Sequence, residues 1–163
     1  DFWSAYFYLH FYTVNTAKLS ENVWKEAEKM LEQIQKYPQK EEYQKLVEAD
    51  RINLYEREAE KGDDRKFLEE TDRVFKENLK GDPAWKLYER KLVYLESKQP
   101  DISREFERFL KKYPKVMDAY VEYSIYLCRN NKMTQAQRVY REGRKRTGMI
   151  SKRAEELRRK LGL

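Results

Sequence analysis

The chain is 163 residues long, enough for one domain with a sizeable core. Charged residues make up 39% of it and Gly plus Pro only nine residues, which favours helices over turn-rich sheet folds, while 14% aromatic content argues against disorder. The net charge of +6 is concentrated: Arg138 to Leu163 holds ten Lys/Arg against three Asp/Glu, a net of +7, and the remainder is close to neutral at −1.

The opening, DFWSAYFYLHFY (Asp1 to Tyr12), raises the question of what so much aromatic surface faces. It falls well short of the roughly 20 apolar residues of a membrane span, so lipid is discounted and no membrane partner is expected. The first residue is Asp and nothing resembles a signal or transit peptide, so the sequence reads as a piece of a longer chain. The single cysteine, Cys128, gives no internal disulfide framework and fits a reducing compartment, cytosol or nucleus.

In chain order the periodicity predicts paired helices: 1–14 with 21–36, 41–61 with 64–79, 83–97 with 101–112, 116–130 with 133–146, and a last helix at 151–162. Ser20 and Thr134 are expected as N-caps. The expected breakers are Gly62-Asp-Asp, Gly81-Asp-Pro, Gln99-Pro100-Asp and Asn130-Asn131-Lys. Three stops share a form, IQKYP (Ile34–Pro38), LKGDP (Leu79–Pro83) and LKKYP (Leu110–Pro114); in RKRTG (Arg144–Gly148) a glycine takes the stop position. Arg73-Val-Phe75, Arg104-Glu-Phe106 and Arg138-Val-Tyr140 recur upstream of stops. Trp85, Tyr88 and Leu92, then Tyr120, Tyr123 and Leu127, form one-face stripes; Trp3, Tyr6 and His10 repeat the spacing. The stops lie 45, 31 and 34 residues apart, two of them near the length of a helix–turn–helix repeat. The expected fold is all-α: an α-solenoid of about four paired antiparallel helical repeats over 1–148, with a basic capping helix over 149–163, in a single domain.

A first helix with W-x-x-Y, then a second with R-x-aromatic and a proline after it, resembles the half-a-TPR (HAT) repeat. REFERFLKKYPKVMDAYVEY (Arg104–Tyr123) carries the resemblance best, and DRVFKENLKGDPAWKLYERKL (Asp72–Leu92) next; it is clear over 65–147 and suggestive over 1–64. Two features depart from the pattern: the glutamates Glu89 and Glu96 do not share one register, and Arg144 stands where the last repeat has its apolar residue. The resemblance implies a non-enzymatic scaffold or homodimerisation module binding proteins in nuclear RNA processing, such as splicing, 3′-end cleavage, small nuclear RNP recycling or ribosome assembly. It also implies that Trp3, Tyr6, Phe75, Trp85, Tyr88, Arg104, Phe106, Pro114, Tyr120, Tyr123, Arg138 and Tyr140 pack helices together. A generic TPR-like peptide adapter in the cytoplasm is the alternative outside RNA metabolism.

Trp3 and Tyr6 are expected to face inward, whereas Phe2, Phe7, Tyr8 and Phe11 lie off the stripe and would meet a further repeat, a partner or a second copy. Arg141, Arg144, Lys145, Arg146, Lys152, Arg153, Arg158, Arg159 and Lys160 form a basic end, which reads as a solvated cap, a contact for RNA or an acidic protein, or an import signal. Beneath it Ile150, Ala154, Leu157 and Leu161 read as the sealing stripe of the last helix. No catalytic, cofactor or metal site is expected: one histidine and one cysteine make no zinc site of the usual kind, and the glycines are isolated. His10 reads as a packed core residue and Cys128 as a buried thiol.

Overall fold

The computed structural model of the protein describes residues 2–14, 21–37, 41–77 and 81–163, and every regular element among them is an α-helix. In order they are α1 (Phe2–Val14), α2 (Glu21–Gln35), α3 (Glu41–Glu60), α4 (Arg65–Lys76), α5 (Gly81–Glu96), α6 (Ser103–Lys112), α7 (Met117–Arg129), α8 (Met133–Thr147) and α9 (Lys152–Lys160). These bounds follow the expected ones closely. The chain divides into two compact units, Asp1–Arg73 and Val74–Leu163.

Two boundaries differ for a physical reason. Gly81-Asp-Pro is not a break but the first turn of α5, where a proline is tolerated because the first N–H groups of a helix have no intrahelical acceptor. Thr134 lies inside α8, whose preceding residue is Lys132, so it caps nothing. Ser20 lies outside the described residues. Gly148 does stop α8: it adopts φ +64°, a left-handed conformation in which its N–H reaches the Arg144 carbonyl. Ser151 begins α9, its Oγ accepting from the Ala154 N–H at 3.1 Å.

In the first unit, α1, α2 and α3 pack on one another around Ala5, Leu9, Ala27, Leu31, Ile34, Val47 and Leu54. Phe2, Tyr6, Tyr12, Met30 and Tyr55 lie half-buried at the edges of that core. Ion pairs stitch α4 to α2 and α3: Arg51 to Glu70 at 2.7 Å, Arg73 to Glu48 at 2.8 Å, and Lys66 to Glu28 and Glu58.

The second unit is built on rings. Phe75, Tyr88 and Phe109 cluster with centroids 4.8 to 6.1 Å apart, Trp85 meets Phe109 edge-on at 5.0 Å, and Phe106 stacks on Tyr123 at 4.8 Å. Such pairs add about 0.5–1.5 kcal/mol each beyond the area they bury. The helices α7 and α8 form a hairpin through Asn131, which takes φ +58°. The two helices approach tightly at Gly143, where an added Cβ would lie 2.6 Å from the Tyr120 Cβ. Finally α9 closes the unit, burying Ala154, Leu157 and Leu161; the Tyr140 hydroxyl donates to the Ala154 carbonyl at 2.9 Å.

Candidate protein-docking surfaces

Of the residues expected to pack helices, seven are aromatic side chains sealed from solvent. Phe75, Trp85, Tyr88, Phe106, Tyr120, Tyr123 and Tyr140 are all buried. Pro114 is half-buried, and its carbonyl accepts from the Tyr120 hydroxyl at 3.1 Å. The two signature arginines depart from this: Arg104 and Arg138 are exposed. A guanidinium keeps its hydration unless a buried carboxylate draws it inward.

On α1 the inward side is small, Ala5, Leu9 and Thr13, and the outward side is aromatic. Trp3, Phe7, Tyr8 and Phe11 are 53%, 64%, 53% and 50% exposed. Trp3 was expected inward. The helix instead turns Ala5 and Leu9 to the core, which leaves Trp3 on the outer stripe with Phe7 and Phe11 at four-residue spacing. One edge of the indole still rests on Tyr43, centroids 4.9 Å apart. Phe2 is half-buried within its own unit, stacked on Tyr6 at 6.0 Å and Tyr43 at 5.4 Å, so it is not an outward residue. Between Trp3, Tyr6, Phe7, Tyr8 and His10 lies an open recess of about 570 Å³.

His10 is not a core residue. Its side chain is 54% exposed, and Nδ1 sits 3.1 Å from both oxygens of Asp50, itself only 3% exposed. A carboxylate only accepts, so Nδ1 carries the proton. The Thr13 hydroxyl, 3.1 Å from Asp50 Oδ1, adds a second donor. Burial raises the pKa of Tyr6, and the Asp50 charge and a hydrogen bond to it add to the rise. This node ties α1 to α3 beneath the aromatic recess. The sequence held one cue: Asp50 shares the buried register of Val47 and Leu54.

A second node was also missed. Glu105 on α6 accepts from the Tyr88 hydroxyl at 2.6 Å and the buried Lys91 ammonium at 3.2 Å, with Arg108 at 3.8 Å. Cys128 is half-buried, its Sγ 3.9 Å from Met133 Sδ, and burial pushes the thiol above its usual range.

At the basic end, Arg144 and Arg158 pair with Glu155 at 2.9 Å, Arg146 pairs with Glu142 at 2.7 Å, and Arg153 pairs with Glu122. Hydrogen bonds from Arg158 and Arg144 hold the Glu155 carboxyl below its usual range. Arg141, Lys145, Lys152, Arg159 and Lys160 are exposed and make no ion pair among the described residues. Ile150 lies before α9 and is 62% exposed, so the sealing stripe is Ala154, Leu157 and Leu161 alone.

Among the described residues no group of three or more His, Cys, Asp or Glu is placed to hold a metal, and no helix is long and apolar enough to cross a membrane. No protein-family model, curated protein or solved structure matches the chain.

Proposed function

We propose that this chain is a non-enzymatic helical-repeat scaffold of the HAT type, docking a protein partner on the outer face of α1 within a nuclear RNA-processing complex. Exposed aromatic surface carries the reading: Trp3, Phe7 and Tyr8 stand together on a helix whose opposite side is already sealed into a core. Contiguous aromatic patches of this sort mark interaction sites, and Trp and Tyr are the residues that most often dominate interface energy. The repeat reading is supported within each unit by helices packed chiefly against their sequence neighbours, α1 on α2 and α3, α7 on α6, α8 and α9, as stacked helix pairs do. Such packed helices are expected to offer surface and charge to a partner rather than chemistry.

The test compares the protein with its Phe7→Glu/Tyr8→Glu variant, immobilised and exposed to RNase-treated nuclear extract. Both positions are exposed, so circular dichroism is expected to be unchanged. The expected result is a set of RNA-processing proteins retained by the parent despite RNase and lost by the variant. Capture that depends on RNA, or that ignores the two substitutions, would overturn the reading. Sedimentation velocity of the pure protein tells a second copy from a different protein as occupant.

A second reading, an RNA contact at the basic end, rests on the five unpaired cations of α8 and α9. Arg141 and Lys145, and Lys152 and Arg159, are spaced to share a helix face within each pair.

A further inference from the structure

The second unit holds a cleft of about 350 Å³ between α6, α7 and α8. Tyr120, Tyr123 and Val139 line it from buried positions, and Leu110, half-buried, gives it an apolar wall. Both phenol groups are already committed. Tyr120 donates to the Pro114 carbonyl at 3.1 Å, and Tyr123 donates to Glu107 at 3.2 Å. Burial pushes the Tyr123 phenol up to about 12, so it remains a neutral donor.

Three cations also line the cleft, Lys111, Arg138 and Arg146. Arg146 is engaged by Glu142 at 2.7 Å. Lys111 and Arg138 are exposed and make neither an ion pair nor a hydrogen bond among the described residues. They come from different helices onto one cleft. The residues 74–163 hold 23 Lys/Arg against 12 Asp/Glu, so the unit's field favours an anionic ligand.

We propose that the cleft between α6, α7 and α8 receives an acidic segment of a partner protein, in which Asp or Glu stands beside aliphatic residues. The half-buried Leu110 takes the aliphatic side chain, and a carboxylate meets the Arg138 fork and the Lys111 ammonium. Nucleic acid suits the cleft less well. The Tyr120 and Tyr123 rings are 2% and 6% exposed and offer no free face for a base to stack on. This surface is separate from α1, so the proposal stands or falls apart from the docking there.

The probe is a fluorescently labelled peptide of about ten residues alternating Glu and Leu, titrated by anisotropy with the whole chain at ~0.1 M salt, where exposed charges remain partly screened. Binding is expected, with none measurable for the matching Gln–Leu peptide. Removing two partly exposed charge contacts in Lys111→Gln/Arg138→Gln should weaken it about tenfold. Removing two cations elsewhere in the unit, Lys86→Gln/Lys98→Gln, should change it less than about twofold, because distant exposed charges are screened. All four side chains are exposed, so the variants are expected to stay folded. Three results would each overturn the proposal: no binding by the parent, equal weakening by both double variants, or displacement by oligouridylate that itself depends on Arg138.

Discussion

Glu105 shows how one residue holds two helices. Its carboxylate takes the Tyr88 hydroxyl at 2.6 Å and the Lys91 ammonium, which is only 6% exposed, at 3.2 Å. Burial disfavours the ionised carboxyl, but the bonds from Tyr88 and Lys91 and the Arg108 charge outweigh it and hold the group below its usual range. A carboxyl depressed in the folded state contributes stability in full above its unfolded value, and loses it as pH falls through the folded one. Glu105→Gln is therefore expected to cost about 2 kcal/mol at pH 7, since it weakens the pairing of a buried ammonium. Urea titrations at a series of pH values should show that cost shrinking below about pH 4.5. A difference that persists undiminished to pH 3 would mean the charge is not the cause. Little of this was visible in REFER, where every carboxylate reads as part of a solvated face. Asp50 was hidden for the same reason: its partner His10 is 40 residues away, and only its register among buried neighbours betrayed it.

At the scale of elements the sequence was most legible. Helix starts and stops follow from local rules, and the aromatic stripes of α5 and α7 fall inward as spacing predicts. The rotation of α1 was not legible, because a helix aromatic on nearly every side has no periodic signal to orient it; Ala5 and Leu9 decide its inner face through close packing alone. Gly143 was a cue passed over. A glycine inside a helix costs about 1 kcal/mol against alanine, so its presence in α8 calls for a reason, and the reason is Tyr120. An alanine Cβ would lie 2.6 Å from the Tyr120 Cβ and Cγ, atoms close to the α7 backbone that cannot swing aside. Overpacking of about 1–3 kcal/mol should exceed the gain in helix propensity. Gly143→Ala is thus expected to lower stability by roughly 1–2 kcal/mol in urea unfolding, and a variant as stable as the parent or more so would show that α7 and α8 can part without cost.

For the whole molecule, charge is distributed by unit: residues 1–73 hold 12 Lys/Arg and 17 Asp/Glu, and residues 74–163 hold 23 and 12. The sequence located the basic excess at the C-terminal end but not how much of it is free. Four of its nine candidate contacts, Arg144, Arg146, Arg153 and Arg158, are held by Glu155, Glu142 and Glu122. The remaining five are Arg141, Lys145, Lys152, Arg159 and Lys160. A cation already neutralised by a carboxylate releases no counterion when phosphate approaches, so only the free ones should register in a salt titration. For single-stranded RNA each contributes about −0.7 to the slope of log affinity against log salt, which gives about −3.5 for five and about −6 for nine. Filter binding of oligouridylate across potassium chloride is expected to give the shallower slope. Arg153→Gln/Arg158→Gln should leave that slope almost unchanged, whereas Lys152→Gln/Arg159→Gln/Lys160→Gln should reduce it by about 2. A slope near −6 would mean that RNA pulls the arginines from Glu122, Glu142 and Glu155, making those carboxylates competitors for the site. No measurable binding at low salt would leave the basic end as the solvated outer face of a capping helix, and the proposed scaffold role would then rest on protein contacts alone.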